Sequence, residues 1–226
     1  MEYNKVLVHT YPSSSVVLSR SEILRYMSCA GETEDVRNLI DEFLPRVTDA
    51  IRCRGSFVYL PLYYDNGGVT LGDVPVLSLS LAKHLSHCKG AVVFSLSCGM
   101  ELDRLIGKYS RIRPSAALCI NAIATTAIES YADVFCKEIE LCFKNEGLYI
   151  TQRFSPGYGD LSLDFQPLFL KLTNASVLCG INLSDSLIMT PSKSITALVG
   201  VSRYAGACRE NKCNNCNKLN CQYSKR

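Results

Sequence analysis

Apolar positions along this chain change period several times, and each change marks an element. From Glu34 to Ala50 they fall at Val36, Leu39, Ile40, Phe43, Leu44 and Val47. Intervals of three and four describe one face of a helix, here with Pro45 as a kink within it. Residues 53–64 and 68–79 alternate instead, are rich in β-branched and aromatic side chains, and flank Asn66-Gly67-Gly68. That combination predicts a β-hairpin. Residues 91–96 form a short, largely apolar run and predict a buried strand, as do 195–201 near the end.

Between these lie weaker patterns. Val6-Leu7-Val8 and then Val16-Val17-Leu18 read as strand leading into a helix capped by Ser19 or Ser21, with Glu22 in its first turn and Gly31 as its stop. Short helices are expected over 80–88 and 99–110. A long one is expected from Pro114 to Asn145, whose face at Ala122, Thr125, Thr126 and Glu129 suits close packing or a ligand. Residues 148–152 read as a strand, and 164–173 as a helix with Pro167 near its start. Strands and helices mix without a regular βαβ repeat, so the expected class is α+β, a twisted and mainly antiparallel sheet packed with helices. One domain over 1–204 and a Cys-rich tail over 205–226 account for the chain.

Hydrophobic residues make up 47% of the sequence and charged residues 20%, the balance of a globular protein, and the net charge is only +3. Lys and Arg are scattered, which argues against a nucleic-acid partner. No run of about 18 apolar residues is present, so no membrane span is expected. The N-terminus carries no basic and apolar signal pattern, and a cytoplasmic setting is expected. His9, His84 and His87 have no catalytic spacing.

The 12 cysteines fall into two kinds. Cys29, Cys53, Cys88, Cys98, Cys119, Cys136, Cys142 and Cys179 are dispersed among apolar residues and read as small buried hydrophobes. Cys208, Cys213, Cys216 and Cys221 instead lie in a polar, Asn- and Lys-rich segment that has no core of its own. Thiolates at such short intervals can converge on one zinc ion or on an iron–sulfur cluster; redox-active or simply exposed thiols are the other reading.

The densest chemistry lies in Arg153-Phe154-Ser155-Pro156-Gly157-Tyr158, followed downstream by Met189-Thr190-Pro191-Ser192-Lys193-Ser194. Arg offers a planar fork for a carboxylate, and Tyr a ring that both stacks and donates. The order R-x-x-x-G-Y, then M-x-P-S-x-S, resembles the reactivation domain of cobalamin-dependent methionine synthase, in a stand-alone form. The resemblance covers residues 95–201, best from Asn121 to Val199. It implies an activation-domain-like fold and S-adenosylmethionine held by Arg153, Ser155, Gly157, Tyr158 and Glu129. On that pattern Arg153 pairs with the methionyl carboxylate, Glu129 accepts from the α-ammonium, and Gly157 admits backbone close to the ligand.

The implied role is reductive reactivation: methyl transfer from S-adenosylmethionine to reduced cobalamin on a separate corrinoid protein, with flavodoxin or ferredoxin as electron donor. The chain would then be one component of a methyltransferase activity rather than an enzyme by itself. Val199-Gly200 departs from the family's aromatic pair, and the fused domains have no cysteine tail. Two other readings remain open, an iron–sulfur electron carrier built on the tail and a non-catalytic subunit that caps a corrinoid protein.

Overall fold

The alternating segments pair into one antiparallel sheet. A computed structural model describes residues 2–65 and 68–204. Strands β1 (Val6–Tyr11), β2 (Cys53–Asp65), β3 (Gly68–Leu71), β4 (Val74–Val76), β5 (Cys88–Ser97), β6 (Tyr149–Ile150) and β9 (Ser194–Ser202) form a 7-stranded sheet in the order β4-β3-β2-β5-β9-β6. β2 is long enough to pair with β1 along its first half and with β3 along its second. A separate hairpin joins β7 (Asn182–Leu183) to β8 (Met189–Thr190).

Helices cover both faces. On one side lie α1 (Arg20–Tyr26), α2 (Glu34–Ala50), α4 (Glu101–Ile112) and α5 (Pro114–Lys144). They bury Phe57, Val92, Phe94, Leu96, Ala197 and Val199 of the sheet. On the other side α3 (Leu79–Leu85), α6 (Gln166–Thr173) and α7 (Ala175–Cys179) are found. α3 and α6 cover Val58, Leu60, Ala91, Val93 and Leu198. Successive residues of β5 and β9 thus go to opposite cores, which is why both strands read as largely apolar runs. The result is an α+β fold built on a mainly antiparallel sheet.

α2 has the predicted bounds and runs through Pro45, and Thr33 Oγ1 caps it by accepting from Val36 N–H at 3.4 Å. Other expectations are corrected. α1 ends at Tyr26, not at Gly31, because Ser28 takes a left-handed φ of 58°. The Ser19 hydroxyl sits on Ser21 Oγ at 2.8 Å instead of capping the helix. Val16–Leu18 is not a strand, and 68–79 divides into β3 and β4. Asn174 at φ 51° separates α6 from α7, a helix the sequence pattern does not announce. Of the eight dispersed cysteines, Cys53, Cys88, Cys98, Cys119 and Cys179 are buried, Cys29 and Cys136 are half-buried and Cys142 is exposed. Cys208, Cys213, Cys216 and Cys221 lie outside the described residues, as do Asn66 and Gly67. Among the described residues no helix is long and apolar enough to cross a membrane.

Candidate functional site

The strand that begins at β6 follows β9 only partway. Thr151 N–H donates to Gly200 O at 2.9 Å, and Phe154 and Leu198 exchange bonds of 2.9 and 2.8 Å. Between those contacts the β6 side spends one residue more than β9, which is a bulge. The extra residue swings Arg153 off the sheet and toward α5. There its Nη2 donates to Glu129 Oε2 and Asp133 Oδ1, both at 3.0 Å. Glu129 and Asp133 are four apart on α5 and so share one helix face. Burial pulls the Arg153 guanidinium down, but Glu129 and Asp133 together outweigh it and hold it above its ordinary value.

Past Phe154 the chain leaves the sheet through a tight loop. Tyr158 N–H donates to Ser155 O at 3.0 Å, and Gly157 N–H to Leu161 O at 2.7 Å. Gly157 and Gly159 take φ of 91° and 57°, which only glycine adopts without strain. Asp160 then fastens the loop to α3, accepting from Ser78 Oγ at 2.5 Å, Leu79 N–H at 2.8 Å and Ser80 N–H at 3.0 Å. From the far end of α3, His84 Nε2 meets Thr151 Oγ1 at 3.0 Å and Gln152 O at 2.9 Å. α3 therefore holds the loop at its entry and at its exit.

These three donors depress the Asp160 carboxyl to about 2 from an ordinary 3.8, with the Ser78 hydroxyl the largest cause. Its folded value lies below its unfolded one, so this stabilisation is complete above roughly pH 4 and is lost as pH falls toward 2. Thermal unfolding followed across that window is expected to fall with acid in the natural chain. The Asp160→Asn variant is expected to start lower and to show a flatter slope.

Because the neighbouring strand departs at Phe154, the edge of β9 from Ser194 to Ala197 is left open, and a cleft of about 830 Å3 lies over it. Arg25, Tyr26, Glu129, Asp133 and Cys136 line it from α1 and α5, Gln166 from α6, Met189 from β8, and Arg153, Ser155, Pro156 and Tyr158 from the loop. Tyr158 is 53% exposed at the rim. Burial pushes the Cys136 thiol up to about 12, against the pull of Arg153. Among the described residues no group of His, Cys, Asp and Glu side chains is arranged to hold a metal ion.

Of the residues singled out in sequence, Arg153, Ser155, Tyr158 and Glu129 meet at this cleft. Gly157 does not line it; the Cβ it lacks would point at Leu163 Cδ2, 3.2 Å away, so its contribution is the turn itself. Met189 and Ser194 of the downstream block line the cleft. Lys193 turns away to Asn121 Oδ1 at 2.7 Å and Thr125 Oγ1 at 3.2 Å, and Ser192 bonds Asp103. Sequence reasoning missed Asp133 and Cys136, though the step of four from Glu129 was in view. The small pair Val199-Gly200 has a steric reason. Val199 is buried against the core beneath α5, and a Cβ on Gly200 would lie 2.5 Å from Cys88 Sγ.

No family model matches the chain, and no curated protein matches it. Among solved structures it is similar to that of the MetH reactivation domain bound to AdoHcy, with a TM-score of 0.64 over 87% of this chain and 78% of that one. Sequence identity is 14%, so the likeness is one of fold: this chain has the architecture of a methionine synthase reactivation domain.

Proposed function

We propose that the cleft binds S-adenosylmethionine and presents its methyl group to cobalamin carried by a separate corrinoid protein, in a reductive reactivation that draws on flavodoxin or ferredoxin. One observation carries the reading, the Arg153–Glu129–Asp133 constellation at the open sheet edge. An α-amino acid needs a cationic fork and an anionic acceptor side by side, and this set offers both. Only Nη2 of Arg153 is engaged among the described residues, so the rest of its fork can take a carboxylate. The volume suits a ligand of this size. A fold relative solved with AdoHcy supports the same assignment.

In this reading Arg153 pairs with the methionyl carboxylate and Glu129 accepts from the α-ammonium. Ser155 offers main-chain contacts, and Tyr158 lies along the ligand where the partner docks. Cobalamin, when bound to its own protein, supplies the nucleophile. This chain's work is orientation, and its histidines have no proton to move at the reacting atoms.

The charges suggest a preference. Arg25 is matched by Glu22 at 2.5 Å, so among the described residues Arg153 alone pairs with Glu129 and Asp133, and one negative charge is left over. S-adenosylmethionine carries a sulfonium cation, whereas its demethylated product is a neutral thioether. A spare carboxylate beside the cleft, in partly wetted surroundings, favours that cation by about 1 kcal/mol, roughly a 5-fold preference for the methyl donor. Titration calorimetry with both ligands checks this, and Asp133→Asn is expected to narrow the ratio. Absence of S-adenosylmethionine binding, with and without a cobalamin-loaded partner, overturns the reading in favour of a capping subunit.

The tail is the metal-binding element of this proposal. Cys208, Cys213, Cys216 and Cys221 supply four thiolates, as zinc or an iron–sulfur cluster requires. Metal analysis after anaerobic purification separates the two, and a brown, iron-containing protein would favour an electron-carrying role.

A further inference from the structure

Two of the buried cysteines face each other across neighbouring strands. The ladder between β2 and β5 pairs Arg54 with Ser97, and one further step sets Cys53 opposite Cys98. Their Sγ atoms are 4.0 Å apart, and both residues belong to the core beneath α5. Main-chain bonds hold the backbone on either side: Arg52 N–H donates to Cys98 O and Cys98 N–H to Lys193 O, both at 2.9 Å. Residues directly opposite in an antiparallel pair have Cα atoms about 4.5–5.5 Å apart, within the span that a disulfide bridges. Closing the gap to a bond asks roughly 2 Å of sulfur movement, which side-chain rotation supplies without shifting a strand.

Cys53 also borders a cavity of about 610 Å3 that shares no lining residue with the cleft over β9. The volume is that of a small-molecule site. Cys53 is 7% exposed and Cys98 0%, so a reagent reaches the pair through Cys53. Arg52 and Arg54, both exposed, line the same cavity, and among the described residues neither forms an ion pair. Cys179 borders the cavity too, but its thiol donates to Ser56 Oγ at 3.3 Å and it packs in a different apolar cluster. Hydrogen bonding to Cys53 and burial push the Cys98 thiol up, against the pull of Lys193. The first of these causes ends once the Cys53 sulfur has reacted, which leaves Cys98 easier to ionise.

We propose that Cys53 and Cys98 form a thiol–disulfide exchange site that takes a small disulfide bearing carboxylates, with glutathione disulfide as the probe. The site is independent of the ligand assigned to the cleft. The Cys53 thiolate attacks one sulfur of the reagent RSSR, and the other sulfur leaves as a thiolate. The Cys98 thiolate then attacks the Cys53 sulfur and displaces the second RS group. Two thiols of the chain are oxidised to one disulfide, RSSR is reduced to two RSH, and the two thiol protons pass to the leaving thiolates. Arg52 and Arg54 hold the carboxylates of the reagent beside Cys53.

The test incubates the intact, reduced chain with glutathione at graded oxidised-to-reduced ratios, quenches with acid and maps the cysteines by peptide mass spectrometry. Cys142, which is exposed, reports simple exposure. The expected product is a cross-linked peptide pair joining Cys53 to Cys98. In Cys98→Ser a glutathionyl group is expected to remain on Cys53. Arg54→Ala is expected to slow exchange with glutathione disulfide by roughly 5-fold more than exchange with the uncharged hydroxyethyl disulfide. A pair that stays reduced at ratios that glutathionylate Cys142, or a Cys53 linked to Cys179 instead, overturns the inference. Equal effects of Arg54→Ala on the two reagents overturn the choice of a carboxylate-bearing substrate. The map of the unmutated chain decides the first point even where a variant fails to fold.

Discussion

Replacing Arg153 with alanine is expected to weaken S-adenosylmethionine binding by roughly 100-fold, because a charge-assisted pair to a carboxylate contributes about 1.5–3 kcal/mol and its loss leaves repulsion behind. Glu129 and Asp133 would then face the ligand carboxylate with no cation between them. The fold should survive. The Arg153 side chain is 22% exposed, and the two carboxylates, at 38% and 61%, can be hydrated when it goes. A thermal shift of a few degrees, matching a loss of about 1 kcal/mol, is expected beside the large loss of affinity. Arg153→Lys keeps the charge but not the fork, and should fall between the two. Unchanged binding in Arg153→Ala would remove this cleft as the ligand site.

The largest loss of stability is expected from Phe135→Ala. Phe135 is fully buried, one turn beyond Tyr131 on α5, with its ring centroid 4.8 Å from Phe94, 5.3 Å from Phe57 and 5.2 Å from His9. It joins the long helix to two central strands, so truncation removes burial and opens a cavity that rigid neighbours cannot fill. A loss of about 3–5 kcal/mol is expected by urea denaturation. Phe135→Leu should cost less, since most of the volume remains. Because Glu129 and Asp133 ride on the same helix, ligand affinity in Phe135→Ala reports how firmly α5 must be seated.

The helices were readable where one face alone meets the core. α2 shows threes and fours because Leu39, Ile40, Phe43 and Val47 are buried while Arg37 and Asp41 are not. α5 could be placed, but Asp133 gained meaning only once Arg153 arrived from a strand 20 residues later. No local pattern announces that arrival, since the bulge depends on how residues 151–154 count against 198–200. The grip of Asp160 on α3 spans some 80 residues and is equally invisible in sequence. Gly157 was legible as a glycine but not for its reason, which is a positive φ.

α3 has a consequence beyond the residues it touches. With Asp160 bound at its start and the Thr151–Gln152 segment held by His84 in its last turn, this short helix works as a splint across the break in the sheet. The conformational entropy of ordering the loop is lost when the chain folds, not when a ligand arrives. In the proposed reading, affinity at Arg153 and Tyr158 is then inherited from a helix on the opposite face of the sheet from α5. Sequence change in α3 can tune the cleft without any residue of it meeting the ligand.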